Sequence, residues 1–217
     1  MSIEQARFNM IEQQIRPWEV LDPRVLELLP QVPREDFVPP AQRKLAFADT
    51  EIPLGHDQVM MPPRLEARLL QALAILPADT ILEIGTGSGY LTALLARSGQ
   101  HIYSVDIFAE FTVSARQKLT AHGINNVTLE TGDAARGWNQ HGPYDVIAVA
   151  GSLPLFADVF QQQLNVGGRL FMIVGRAPSM EALLITRVGP AEWTRESLFE
   201  TCVPALINAP QPQAFVL

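Results

Sequence analysis

The stretch that most constrains this chain is Ile81-Leu82-Glu83-Ile84-Gly85-Thr86-Gly87-Ser88-Gly89-Tyr90. An apolar run meets an acidic residue, three glycines follow at alternate positions, and a helical segment begins. A strand that turns sharply into a helix places ligands at the carboxyl end of the strand. Dinucleotide sites space their glycines as G-x-G-x-x-G and seat a pyrophosphate on the helix N-terminus. Here the pattern is the tighter E-x-G-x-G-x-G. That bend suits a nucleoside without phosphate, whose amino-acid carboxylate meets backbone amides. S-adenosylmethionine (SAM) is such a ligand, so the spacing points to a methyl donor and away from a nicotinamide dinucleotide.

The surroundings of the motif alternate in period. Strand patterns at 80–84, 101–106, 127–130, 144–149 and 168–174 are separated by helical patterns at 90–98, 109–122 and 154–164. Gly99 and Gly123 stand where helix C-caps belong. Such alternation predicts a parallel sheet with helices on both faces. The tail differs, because 182–188 and 193–203 flank Gly189-Pro190 and predict an antiparallel hairpin. The expected fold is α/β: a doubly wound, mostly parallel seven-stranded Rossmann-like methyltransferase sheet, with a C-terminal antiparallel hairpin and an N-terminal helical extension. Residues 1–77 are the extension and active-site loop of the same domain, and 78–217 the SAM-binding core.

Within the extension, Ser2 and Gln5 have capping-box spacing, predicting a helix from Ile3 that stops near Pro17. Asp22 caps a second helix with Pro23 at its first position and Val25, Leu26, Leu28 and Leu29 for burial. Residues 34–63 are punctuated by proline without a clean period and read as an ordered loop, a length that is usually functional. Leu65, Leu69, Leu70, Leu73 and Leu76 then mark one helix face, with Arg64, Glu66 and Arg68 off it.

Composition narrows the function classes. A chain of 217 residues with 47% apolar content holds one large domain with a real core. A net charge of -7 disfavours broad phosphate neutralisation, so no nucleic-acid partner is expected. The single Cys202 makes no internal disulfide, and no Cys/His cluster has zinc spacing. The polar N-terminus is not a signal peptide, and no apolar run spans a bilayer. A soluble cytoplasmic protein with no membrane partner is the expectation.

Further along, two more strand ends carry acids. Asp106 ends the strand His101-Ile102-Tyr103-Ser104-Val105, where a carboxylate accepts from both ribose hydroxyls, or caps the helix near Ala109. Ile107 follows and packs on adenine. After the next strand comes Gly132-Asp133-Ala134, where Asp133 accepts from the adenine amino group and the Ala134 amide donates to the ring. Glu83 shapes the glycine turn or contacts the cationic methionine end. The candidate cofactor cradle is therefore Glu83, Gly85, Thr86, Gly87, Gly89 and Tyr90, with Asp106, Ile107, Asp133 and Ala134.

The chain resembles the protein-L-isoaspartate O-methyltransferases over almost its whole length. The landmarks are Val32-Pro33-Arg34-Glu35, Phe37-Val38-Pro39, Ala46-Phe47-Ala48-Asp49 and Ile52-Pro53-Leu54-Gly55-His56. The glycine motif, Gly132-Asp133, Tyr144-Asp145-Val146-Ile147 and Gly167-Gly168-Arg169-Leu170 complete them. The resemblance implies SAM as donor, S-adenosylhomocysteine (SAH) as product, and an isoaspartyl α-carboxylate in a peptide or protein as acceptor. It also places Gln58, Val59 and Met60 beside the cofactor. Where the family reads Gly-Gln-Thr-Ile-Ser-x-Pro, this chain reads Asp57-Gln58-Val59-Met60-Met61-Pro62-Pro63. Val59 thus replaces the threonine, and Met61 stands at the serine given a catalytic or positioning role, leaving the catalytic residue open. The family's Val-Pro-Leu-Thr becomes Val203-Pro204-Ala205-Leu206, and Gly-Asp-Gly becomes Gly132-Asp133-Ala134.

The exchange has a chemical consequence. A hydroxyl donates to an acceptor carboxylate, whereas methionine and valine cannot. Met60 and Met61 suit a more apolar acceptor. Two alternatives therefore stand beside isoaspartyl methylation: the same scaffold with another acceptor, a small molecule included, or a non-catalytic SAM-binding module. Methyl transfer to an anion needs alignment and a dry site more than acid–base groups. For a hydroxyl or amine acceptor, His56 and Asp57 are the nearest bases. His101, His122 and His141 look ordinary. Arg176 could meet an acidic group, and Ser152 or Ser179 could supply a hydroxyl.

Overall fold

A computed structural model describes residues 2–212. The N-terminal extension carries α1 (Ile3–Met10), capped by the Ser2 hydroxyl on the Gln5 amide, and α2 (Pro23–Leu28), capped by Asp22 on Arg24. From α1 the chain continues through a π-helical turn, Ile11–Ile15, and a short 3-10 turn, Arg16–Trp18. The segment expected as loop contains a small hairpin, β1 (Ile52–Gly55) and β2 (Gln58–Met60), paired antiparallel. Its two turn residues, His56 and Asp57, both take the left-handed conformation (φ 52° and 56°) that two-residue hairpin turns require. Helix α3 (Pro63–Leu73) follows and ends at Ala74 in the left-handed region, so Leu76 falls outside it and is exposed.

The main sheet has seven strands: β3 (Thr80–Ile84), β4 (His101–Asp106), β5 (Val127–Thr131), β6 (Tyr144–Leu153), β7 (Leu164–Arg176), β8 (Ser179–Gly189) and β9 (Glu192–Thr201). Their order is β5-β4-β3-β6-β7-β8-β9. The pairs from β5 to β7 are parallel, and β8 and β9 continue the sheet antiparallel. Helices α4 (Tyr90–Ser98), α5 (Ala109–Ala121) and α6 (Asp158–Gln162) cover it. Helix α6 is shorter than its sequence pattern, because residues 154–157 form a bend after β6 and Leu164 already belongs to β7.

Each sheet face has its own core. Ile81, Ile102, Val146 and Phe171 pack with Leu94 and with Met10, Ile15, Leu29 and Leu69 of the extension. Their chain neighbours Leu82, Ile147, Leu170 and Met172 point the other way, toward Phe160. The order in which strands are added reverses at β3, whose parallel neighbours are β4 and β6, and a crevice opens beyond the carboxyl ends of these strands.

Glu66, off the leucine face of α3, is nevertheless 2% exposed and paired with the equally buried Arg34 guanidinium. Arg34 also donates to the carbonyls of Ala46 (2.9 Å) and Met61 (2.6 Å) and lies over the Tyr90 ring. Burial pushes the Glu66 carboxyl up to about 7, against the pull of Arg34.

Candidate active site

The crevice is a cleft of about 710 Å³, counted to its open mouth. Its floor is the glycine turn. Gly85 and Gly87 have φ of 96° and 49°, which side-chain-bearing residues rarely adopt. A Cβ on Gly87 would press on Leu54 Cδ1 at 3.2 Å, so the β1–β2 hairpin sits directly over the turn. The hairpin tip is fixed by the His56 ring, stacked on Phe108 at 4.1 Å and edge-on to Phe111 at 5.7 Å.

Of the residues expected from sequence, Gly85, Gly87, Asp106, Ile107, Asp133, Ala134, Gln58 and Val59 line this cleft together, and Met61 joins them. Glu83, Thr86, Gly89, Tyr90 and Met60 do not line it; they lie behind the wall. Glu83 is buried under the turn, where Oε2 accepts from Thr92 Oγ1 (2.5 Å) and Ser104 Oγ (2.6 Å). Ser104 Oγ in turn bonds Thr86 Oγ1 (2.6 Å), so the acid braces the turn through two hydroxyls. Gly89 makes room for α5, since a Cβ there would stand 2.8 Å from Ala115 Cβ. Tyr90 packs edge-on against Phe37, away from the opening.

Burial raises the Glu83 carboxyl to about 8, and its Oε1 has no hydrogen-bond partner. The folded state therefore holds this proton more tightly than the unfolded chain. Stability from this group should fall as pH rises between about 4.5 and about 8. Glu83→Gln, which imitates the protonated acid, should flatten that decline in urea unfolding at pH 5, 7 and 8.5. An unchanged pH slope in the variant would contradict the assignment.

Asp106 Oδ2 accepts from the Gly87 amide and Oδ1 from the Phe108 amide, both at 2.9 Å. It is not the cap of α5, because that position belongs to Phe108. Burial pushes the Asp106 carboxyl up and these amides pull it back. Each oxygen keeps a lone pair for a further donor. Asp133 is exposed; its Oδ1 accepts from the Ala135 amide (3.0 Å) and its Oδ2 from Asn208 Nδ2 (2.9 Å).

One wall had no sequence signal of its own. Val203, Pro204, Leu206 and Ile207 line the cleft from the tail. Ser152 pins them: its amide donates to the Pro204 carbonyl, its carbonyl accepts from the Leu206 amide, and its hydroxyl donates to the Val203 carbonyl, each at 2.9 Å. That hydroxyl is thereby spent, and neither Ser179 nor Arg176 lines the cleft. The only pointer in the sequence was the partial match at Val203-Pro204. Leu54, inside the Ile52–His56 landmark, lines the cleft as well, and so do Phe108 and Phe111, which stood in a stretch with no motif.

The lining decides what fits. Among the described residues its polar side chains are Gln58, Asp106 and Asp133, with no lysine, arginine, histidine or hydroxyl. A pyrophosphate would find no countercharge and two carboxylates. A nucleoside with hydroxyl and amino donors and a cationic sulfur finds acceptors for each. Bound SAM would supply an electrophilic methyl with a neutral leaving group. The chain's own residues would hold the ribose at Asp106, meet the adenine edge at Asp133 and Ala134, and exclude water with Met61, Val59 and the tail.

Comparisons with known proteins agree. The sequence profile of the protein-L-isoaspartate(D-aspartate) O-methyltransferase family matches residues 5–202. The Rhodopseudomonas palustris protein-L-isoaspartate O-methyltransferase is 38% identical over 201 residues, 92% of each chain. A Pelobacter propionicus protein-L-isoaspartate O-methyltransferase is 39% identical over 207 residues, 95% of this chain and 92% of its own. Among solved structures, a Plasmodium falciparum chain described as this type of enzyme, in complex with SAH, superposes with a TM-score of 0.79 at 17% identity. It covers 92% of this chain and 97% of its own, and establishes the shared fold. Fold and cleft together are those of a SAM-dependent methyltransferase. The chain belongs to the protein-L-isoaspartate(D-aspartate) O-methyltransferase family. No helix among the described residues is long and apolar enough to cross a membrane.

Proposed function

We propose that the protein binds SAM in the cleft above β3, β4 and β5 and transfers its methyl group to an isoaspartyl α-carboxylate in a peptide or protein. The carrying observation is a glycine cradle flanked by Asp106 and Asp133 with no cation in the lining. A carboxylate is already an anion, so attack on the methyl carbon needs no base, and the two carboxylates of the lining are left to the ribose and the adenine. The net charge of -7 favours peptide over nucleic-acid acceptors. The test is transfer of labelled methyl from SAM to an isoaspartyl peptide and to its normal aspartyl twin. Ester formed on the first alone supports the reading, and silence at saturating SAM sinks the acceptor assignment.

A second reading, methyl transfer to a different and more apolar acceptor, is favoured by one observation. Val59 and Met61 line the cleft where a hydroxyl donor would steady a carboxylate. A hydrogen bond to a charged group contributes ~1.5–3 kcal/mol, or about 10- to 100-fold in rate. On this reading the wild type methylates the isoaspartyl peptide only weakly, and Val59→Thr with Met61→Ser raises that activity by about this factor. A SAH-binding double variant with no gain would remove the second reading.

A further inference from the structure

The donor cleft ends at Met61 and Val203, and a second groove begins there. Val203 lines both, and Pro62, next after Met61, lines the second. Its open space is about 700 Å³. Trp18 forms one wall and is fixed from two sides. The Arg64 guanidinium lies 4.2 Å from its ring centroid, and Phe199 meets it edge-on at 5.4 Å. Arg64 is itself neutralised by an ion pair with Asp49. The indole is therefore held in place before any ligand arrives, which lowers the ordering cost of binding.

The remaining charges are one-sided. Asp49, Glu51 and Glu200 line the groove against Arg64 alone. Glu51 and Glu200 are exposed at the groove and have no ion-pair partner among the described residues, and partial burial pushes the Glu51 carboxyl up. An acidic ligand would meet repulsion here, and a neutral one would draw nothing from the two carboxylates. A cation on an apolar stem matches the set: the stem against Trp18, the charge toward the acids.

We propose that this groove is an acceptor-side subsite for a basic side chain, lysine or arginine, carried by a peptide whose reacting carboxylate enters the donor cleft at Met61. The assignment rests on the reading of the acceptor as a peptide and adds which peptides are preferred. It makes Trp18, Glu51 and Glu200 specificity residues that touch neither the cofactor nor the reacting atoms.

Binding, not turnover, is the direct test. Fluorescent isoaspartyl peptides differing only in a neighbouring lysine, alanine or glutamate are titrated into SAH-saturated protein and read by anisotropy. The lysine peptide should bind about tenfold or more tighter than the glutamate peptide at low ionic strength, and the gap should shrink in high salt. Trp18→Ala and Glu200→Lys should each erode the preference while SAH affinity by calorimetry stays at the wild-type value. Equal affinity for all three peptides, or a preference that survives both substitutions, overturns the subsite. Methyl transfer to the same peptides is scored separately. Lysine-selective binding without turnover keeps the groove and removes the isoaspartyl acceptor; turnover without selectivity does the reverse.

Discussion

Asp106→Ala is expected to weaken SAH binding about a hundredfold or more in a protein that still folds. The carboxylate stands at the end of β4, facing the cleft, with its two oxygens already oriented by the amides of Gly87 and Phe108. A ribose offers two hydroxyl donors, and hydrogen bonds to a charged acceptor contribute ~1.5–3 kcal/mol each. Their joint loss amounts to ~3 kcal/mol or more, which is about two decades in affinity. The Gly87 amide would also lose its acceptor, loosening the turn. Asp133→Ala should cost less, about tenfold, because that residue is exposed and already shares Oδ2 with Asn208. Calorimetric titration with SAH measures both. Wild-type affinity in a folded Asp106→Ala protein would move the cofactor out of this cleft.

Glu66→Ala should destabilise the fold by ~3–5 kcal/mol, the range for removing one partner of a buried ion pair. Arg34 would keep its two carbonyl partners but lose the only ion-pair partner it has among the described residues, while 1% exposed. For a domain of this length the melting temperature should drop by roughly 10 °C. The Arg34→Met, Glu66→Leu double variant separates desolvation from packing. Replacing both charges by apolar groups of similar size should recover most of the loss. If the single substitution melts with the wild type, the pair is not the buried contact described. Because Arg34 also grips the Met61 carbonyl, the double variant should keep stability yet misplace the residue at the acceptor end. A recovered melting temperature with changed acceptor kinetics is the expected signature.

The parallel half of the sheet was legible because short strand-like runs rich in isoleucine, valine and leucine alternate with helical patterns, two of which end in glycine. The predicted bounds of β3 and β4 match those observed. The β1–β2 hairpin was not legible. Its strands are four and three residues long, one contains Pro53, and the turn is His56-Asp57, not the asparagine-glycine pair that usually marks left-handed backbone. The burial of Glu66 was not legible, because period alone places it off the leucine face, and only the fold brings Arg34, distant in sequence, to meet it. In the cleft, strand ends and glycines located Gly85, Gly87, Asp106 and Asp133, since local order places them. The same motif drew in Glu83, Thr86, Gly89 and Tyr90, whose side chains or close packing support the turn from behind. The tail wall depends on a partner 51 residues earlier, Ser152, and no local periodicity reports such a contact.

That wall separates holding the fold from holding the ligand. The residues closing the donor site, 203–207, follow every strand of the sheet in chain order, and they lie past the segment shared with the family profile. None of the pairings between β3 and β9 uses them. Substitutions in this stretch are therefore expected to change retention of the methyl donor more than they change the melting of the sheet.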